Sequence, residues 1–348
     1  MKTLIKNGLL IDPANQVQAY LNLILEDGKV VAVTEEEPEA DRVIDATGKV
    51  VAPGFIDIHM HEDPVKDGKI EFCIFDAMLR MGVTTAVGGN CGINVYDPVK
   101  YLDMVEKDGA PVNVMLFAGH QYFREAAGAL DKYAPVTKEQ QEHMKKGLEK
   151  ALEAGCVGIS YGLRYVPGTG RDEFLDTASC CEKEHRMISA HVRDDEDRVF
   201  GAVAEVAEAG KLYNIPVQVS HIGSMAGFGQ MKQLLRQVDG YRMNGIDVAC
   251  DCYPYFAFST RIGATTYDDG WLERYHCDYS ACQLTEGKYK GQKCTPETFA
   301  EMRRDFPECL TVCYVMDEND IRMAFADPGV MVGSDGLIDN GHGHPRAA

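Results

Sequence analysis

From residue 51 onward short apolar runs alternate with amphipathic stretches, and this alternation constrains the fold more than any other feature of the chain. Strands are predicted at 55–61, 84–91, 112–119, 158–164, 187–193, 217–222, 247–253 and 330–335. Helical patterns separate most of them, at 70–81, 98–107, 138–154, 172–185, 197–214 and 229–243. Alternating β and α units imply parallel strands. Eight such units fit a closed (β/α)8 TIM-type barrel of about 250 residues or more. A doubly wound open sheet is the runner-up.

Residues 1–50 follow another pattern. TLIKNGLLID, LNLILEDGKVVAV and RVIDATGKVVAP read as short strands, with hairpin signals at Asn7-Gly8 and Asp27-Gly28. The chain therefore divides into a small β unit at 1–50 and a barrel at 51–348. An irregular insertion at about 256–305 precedes the last strand, where a barrel carries an active-site loop or lid. That insertion holds Trp271, several tyrosines, and His276, Cys277, Cys282 and Cys294, a set with the donor types of a structural zinc cluster. Residues 310–315 read as an extra strand.

The formal net charge is −19, from 35 basic and 54 acidic residues, without a Lys/Arg cluster. This argues against a nucleic-acid or anionic-membrane partner. No apolar run reaches the ~18 residues of a membrane span, and MKTLIKNGLLID lacks a signal-peptide pattern. The expected location is cytoplasmic, where the twelve cysteines are expected as thiols rather than disulfides.

The ends of the predicted strands carry the chemistry. Strand one ends in VAPGFIDIHMH, which puts His59 and His61 on one face. Strand two ends at Cys91 in GGNCG, strand five at His191 in SAHVRDD, strand six at His221 in VSHIG, and strand eight at Asp335 in VGSDG. In a barrel these ends converge on one mouth. Four imidazoles, a thiol and a carboxylate there supply ligands for one or two transition-metal ions. Asp194 and Asp195 read as solvated loop acids, and His342 and His344 as loop residues. His120 lies near the mouth without an assigned role.

The order HxH, His, His, Asp at strand ends one, five, six and eight, opened by VAPGFIDIHMH, resembles the amidohydrolase superfamily. GGNCG, GISYGLRYVPG, DCYPYFAFST and VGSDG…HGHPR further resemble its N-acyl-D-amino-acid deacylase (D-aminoacylase) branch. The resemblance covers nearly the whole chain. It implies zinc-dependent hydrolysis of N-acyl-D-amino acids, small-molecule substrates. It also implies one tight Zn2+ on Cys91, His191 and His221, and a weaker second site completed by His59 and His61. Cys91 takes the place of the bridging lysine carboxylate, and 158–164 indeed lacks a lysine. Asp335 is the implied general base. Tyr253 and Ser259 match the pocket for the substrate carboxylate. The lysine that the branch commonly carries two residues after the strand-six histidine is Gly223 here, so Arg193, Arg164 or Arg261 is expected to supply the cation.

The branch builds its small β domain from both chain termini. With the chain stopping at Ala348, that domain is expected to be an incomplete β-sandwich, as in a truncated gene product of reduced stability. Assembly into an oligomer is compatible with this reading. The competing functions are a cyclic-amide hydrolase of the dihydroorotase or hydantoinase kind and a truncated metal-binding barrel without turnover.

Overall fold

The computed structural model describes residues 1–339 and 342–343, so His344 of the HGHPR segment lies outside it. Two compact units emerge, divided after Phe55. In the first unit, Lys2–Lys6, Asn22–Glu26, Lys29–Thr34 and Arg42–Asp45 form one sheet, and Leu9–Asp12, Val17–Tyr20 and Val50–Val51 form another. Leu4, Leu10, Ile24 and Ala46 are its buried apolar residues.

The second unit is built on eight parallel strands. In chain order these are Phe55–Asp57, Val83–Gly88, Asn113–Gly119, Gly158–Gly162, Met187–His191, Val217–Val219, Val248–Cys252 and Val330–Val332, and each neighbours the next in the sheet. The first and last strands meet through a parallel bridge between Met60 and Gly336. The result is a nearly closed (β/α)8 barrel, as the alternation predicts. The first strand is shorter than the predicted 55–61, because Met60 and His61 bond past its end to Val87 and Gly336 rather than along a continuous ladder. The eighth strand likewise ends at Val332, short of Asp335.

Barrel strands are covered on both faces. All five residues of Gly158–Gly162 are buried. The helices form because their local signals agree. Lys138–Glu153 starts at a capping box of Thr137 with Gln140 and buries Met144, Leu148, Ala151 and Leu152, one helical stripe. Ile74–Arg80 is shorter than the predicted 70–81, since Val65–Lys66 and Lys69–Ile70 form a hairpin before it. No helix among the described residues is long and apolar enough to cross a membrane.

The insertion is ordered rather than irregular. Phe258–Arg261, Leu310–Cys313 and Cys282–Leu284 make an antiparallel sheet, and 310–315 contributes its central strand. Trp271, Tyr267, Tyr279 and Phe299 pack ring to ring at 5.1–5.7 Å between centroids. Its cysteines fill this core. His276 points elsewhere, 79% exposed and 3.6 Å from Glu196. Among the described residues, the donors of His276, Cys277, Cys282 and Cys294 do not form a metal-binding group.

Phe174 is fully buried and meets Tyr161 edge to face at 4.8 Å, which fastens Arg171–Ala178 to the fourth barrel strand. Phe174→Ala is expected to destabilise the protein by about 3–5 kcal/mol. The check is chemical denaturation, with a shifted midpoint at unchanged slope.

Candidate metal centre

At one end of the barrel, the residues predicted from the strand ends come together. Cys91 Sγ lies 3.4 Å from His221 Nε2, 3.5 Å from His59 Nε2 and 3.9 Å from His191 Nδ1. Asp335 Oδ1 is 3.3 Å from His61 Nε2 and 3.5 Å from His59 Nε2. Two donor groups result, His59–His61–Cys91–Asp335 and Cys91–His191–His221, with Cys91 common to both. His59, Cys91, His191 and His221 are all buried, while His61 and Asp335 keep 15% and 13% of their side chains exposed.

These residues fit a transition metal. With bonds of about 2.3 Å to sulfur and 2.0 Å to nitrogen, tetrahedral ligation puts the S and N donors roughly 3.5 Å apart, close to the spacings found. His191 Nε2 is buried without a hydrogen-bond partner. Burial works against ionising Cys91. The imidazoles of His221 and His59, and hydrogen bonds from His191 and His221, nevertheless hold its thiol well below its ordinary pKa. Burial also disfavours charge on His61, but its hydrogen bonds to Asp335 and Cys91 raise it to about 9. His191 is pushed down by burial and by the charge of His221. A thiolate among imidazoles is a soft-to-borderline donor set, suited to zinc and its neighbours.

The backbone that presents these groups is unusual. Cys91, His221 and Asp335 have φ of +55°, +32° and +49°, in the left-handed region. Cys91 sits in the turn Asn90–Gly92, where a Cβ at Gly89 would come within 2.3 Å of the Phe117 carbonyl oxygen and one at Gly92 within 2.7 Å of the Gly162 nitrogen. His221 begins the short helix Ile222–Ala226, and Ser224 Oγ meets its Nδ1 at 2.9 Å.

Asp251 was not predicted from the sequence. It is fully buried in the seventh strand, with its carboxylate 3.1 Å from His59 Nδ1, and it accepts hydrogen bonds from the His221 backbone N–H and from Gln218 Nε2. One carboxylate thus orients two candidate ligands. The signal was present in CDCYPY, an acid inside an otherwise buried parallel strand.

A cavity opens on His191, His221 and Asp335. Its walls include Tyr253 and Ser259, and also Tyr165, Ser224, Asp195 and Tyr275. The insertion supplies Phe258, Ser259, Thr260, Thr266 and Tyr275 of this lining. Ser259 Oγ is buried without a hydrogen-bond partner. Asp195 is not a solvated acid: it is 3% exposed, accepts a 2.5 Å hydrogen bond from Tyr275 and lies 3.4 Å from Arg274 Nε. Asp194 instead pairs with Arg164. The three candidate arginines are not in the lining. Arg193 is paired bidentately with Glu205, Arg261 is half exposed and paired with Glu308, and Arg164 is held by Asp194 at 3.1 Å. Position 223 is crowded, since a Cβ there would meet the side-chain ends of Ile321, Cys252 and Met316 at 2.8–3.3 Å, and these would have to shift to admit a larger residue. His120 is buried on Glu173, away from the centre.

Residues 42–162 match the model of an amidohydrolase family. The N-acyl-D-glutamate deacylase of Alcaligenes xylosoxydans xylosoxydans is 32% identical over 375 residues, covering 98% of this chain and 75% of the relative. The chain belongs to the D-aminoacylase branch of the amidohydrolases. The crystal structure of the N-acyl-D-glutamate deacylase of Bordetella bronchiseptica, complexed with zinc and a phosphonate mimic of the tetrahedral intermediate, superposes with a TM-score of 0.85 at 30% identity, over 99% of this chain and 78% of that one. A D-aminoacylase with a binuclear metal centre, marked by one-metal activation and second-metal attenuation, gives 0.83 at 25% identity with the same coverage. This amidohydrolase is accordingly a metal-dependent hydrolase.

Outer carboxylates that orient ligands commonly contribute 10–100-fold in metal affinity. Asp251→Asn in this amidohydrolase is expected to weaken metal binding by roughly that factor. Competition with a chromophoric chelator measures it.

Proposed function

We propose that this amidohydrolase cleaves the amide bond of N-acyl-D-amino acids, giving a carboxylate and a free D-amino acid, with zinc as its metal. The observation that carries the proposal is the shared Cys91 thiolate between two histidine sets, beside a cavity that also receives Asp335. The fourth barrel strand, GISYG, has no lysine to be carboxylated, which speaks against the cyclic-amide hydrolases. Its relatives named for N-acyl-D-glutamate deacylase and D-aminoacylase support the substrate class.

Cys91, His191 and His221 would hold the tighter ion, and His59 and His61 a weaker second one. A bound zinc ion supplies Lewis acidity toward the amide carbonyl and lowers the pKa of water. Asp335 takes a proton from the water that attacks the carbonyl carbon. It returns that proton to the nitrogen as the C–N bond breaks, so the amine leaves neutral. With the weaker site unfilled, His61, whose Nε2 lies 3.3 Å from Asp335 Oδ1, would fix the carboxylate for both transfers. Tyr253 and the free hydroxyl of Ser259 orient the substrate carboxylate. The insertion supplies Phe258, Ser259, Thr260, Thr266 and Tyr275 of the wall that would face the substrate.

Protein from zinc-supplemented expression is expected to carry about one tightly held zinc per chain by elemental analysis, and absence of any transition metal would refute the metal assignment. A panel of N-acetyl-D- and N-acetyl-L-amino acids, with dihydroorotate and hydantoins alongside, tests the substrate. Turnover of the D series is expected, and turnover confined to the L series or to the cyclic amides would reject it.

Asp335→Ala is expected to keep its zinc and lose hydrolysis by ~10²–10⁴-fold, the range of general acid–base catalysis. A zinc-loaded variant retaining more than about a tenth of wild-type activity lies outside that range and would remove Asp335 from this role.

A further inference from the structure

The turn that carries Cys91 is held by a carboxylate with no part in the chemistry above. Glu62 directly follows His61 and is 5% exposed. Its Oε2 accepts the Gly89 N–H at 2.7 Å, before the cysteine. Its Oε1 accepts the Val95 N–H at 3.1 Å and an Asn94 side-chain N–H at 3.2 Å, after it. From the neighbouring strand, Ser160 Oγ accepts the Gly92 N–H at 3.0 Å and donates to the Gly89 carbonyl. Between these holds, Gly89, Cys91 and Gly92 all have positive φ, a conformation that persists in a non-glycine residue only when its surroundings over-determine it.

We propose that Glu62 is a positioning residue that clasps both ends of this turn and so fixes the Cys91 sulfur among the histidines. One sequence unit, His59–Met60–His61–Glu62, would then provide two ligands directly and aim a third. Asp63, the next residue, makes an internal control. It is fully buried too, but its carboxylate accepts the N–H groups of Cys73, Ile74 and Phe75 at 2.8–3.1 Å and caps the helix Ile74–Arg80 instead.

The inference rests on Cys91 being a metal ligand, and the experiment separates the two. The full chain is loaded with Co2+, and thiolate-to-cobalt charge transfer and Co2+ affinity are read for wild type and for Glu62→Ala, Glu62→Gln, Asp63→Asn and Cys91→Ser. Glu62→Ala is expected to weaken affinity by roughly 10–100-fold and to reduce the charge-transfer band. Glu62→Gln, which keeps one acceptor oxygen, should fall between it and wild type. Asp63→Asn should lower the melting temperature with band and affinity unchanged. Wild-type affinity and a full band in the Glu62 variants would overturn the proposal, as would an equal loss in Asp63→Asn. A band that survives Cys91→Ser would instead overturn the ligand assignment of Cys91. If Glu62→Ala fails to fold, Glu62→Gln and Asn94→Ala, which removes one contact of the clasp, decide by the same two readouts.

Discussion

The site depends on how the first and last barrel strands are joined. The Asp335 N–H donates to the His59 carbonyl at 2.7 Å, and the His61 N–H donates to the Gly336 carbonyl at 2.8 Å. These bonds interleave HMH with SDG residue by residue. Asp335 therefore reaches His59 and His61 because of the backbone pairing that closes the barrel, not through a side-chain search. Asp57 reinforces the joint by accepting the N–H groups of His59 and Ser334. This seam is what sets the proposed base against the two histidines.

Electrostatics explains why so many ionisable groups tolerate burial in one place. Each of them is opposed by desolvation, and an isolated buried charge would neutralise. Here the charges compensate in pairs: Asp251 and Cys91 hold His59 well above its ordinary pKa, and the histidines hold Cys91 below its own. With a metal held by Cys91 and the histidines, the protons that this arrangement otherwise needs would be released, because ligands bind deprotonated. Asp251 stays useful in both conditions, since it contacts the ring nitrogen of His59 that faces away from Cys91.

Much of this architecture was legible in the sequence. The apolar periodicity gave eight strands, and their ends gave His59, His61, Cys91, His191, His221 and Asp335, which do converge. What stayed hidden depends on long-range packing. Asp195 sits in a run of loop acids, and its partners Arg274 and Tyr275 lie some eighty residues later in the insertion. Arg193 alternates correctly with His191 along the chain, yet Glu205 one helix later draws it away. The order of the insertion is not legible in the sequence because its strands are short and pair across intervening turns and helices, as Phe258–Arg261 does with Leu310–Cys313. Gly223 was legible as a missing lysine, but not as a position that the side chains of Ile321 and Met316 crowd.

The left-handed residues tie fold and chemistry together. Cys91, His221 and Asp335 each occur where the chain leaves a barrel strand and must turn abruptly. A strand continued in regular geometry would send alternate side chains to opposite faces. A left-handed step breaks that alternation and turns the side chain over the mouth of the barrel. Such steps cost about 1–3 kcal/mol each in a non-glycine residue, so they survive only where hydrogen bonds enforce them. Each of the three has that enforcement from a buried acid or from the seam: Glu62 on the Cys91 turn, Asp251 on the His221 N–H, and the His59 carbonyl on the Asp335 N–H. The acids that never reach the cavity are thus what hold the cysteine among the histidines and let His221 face the cavity.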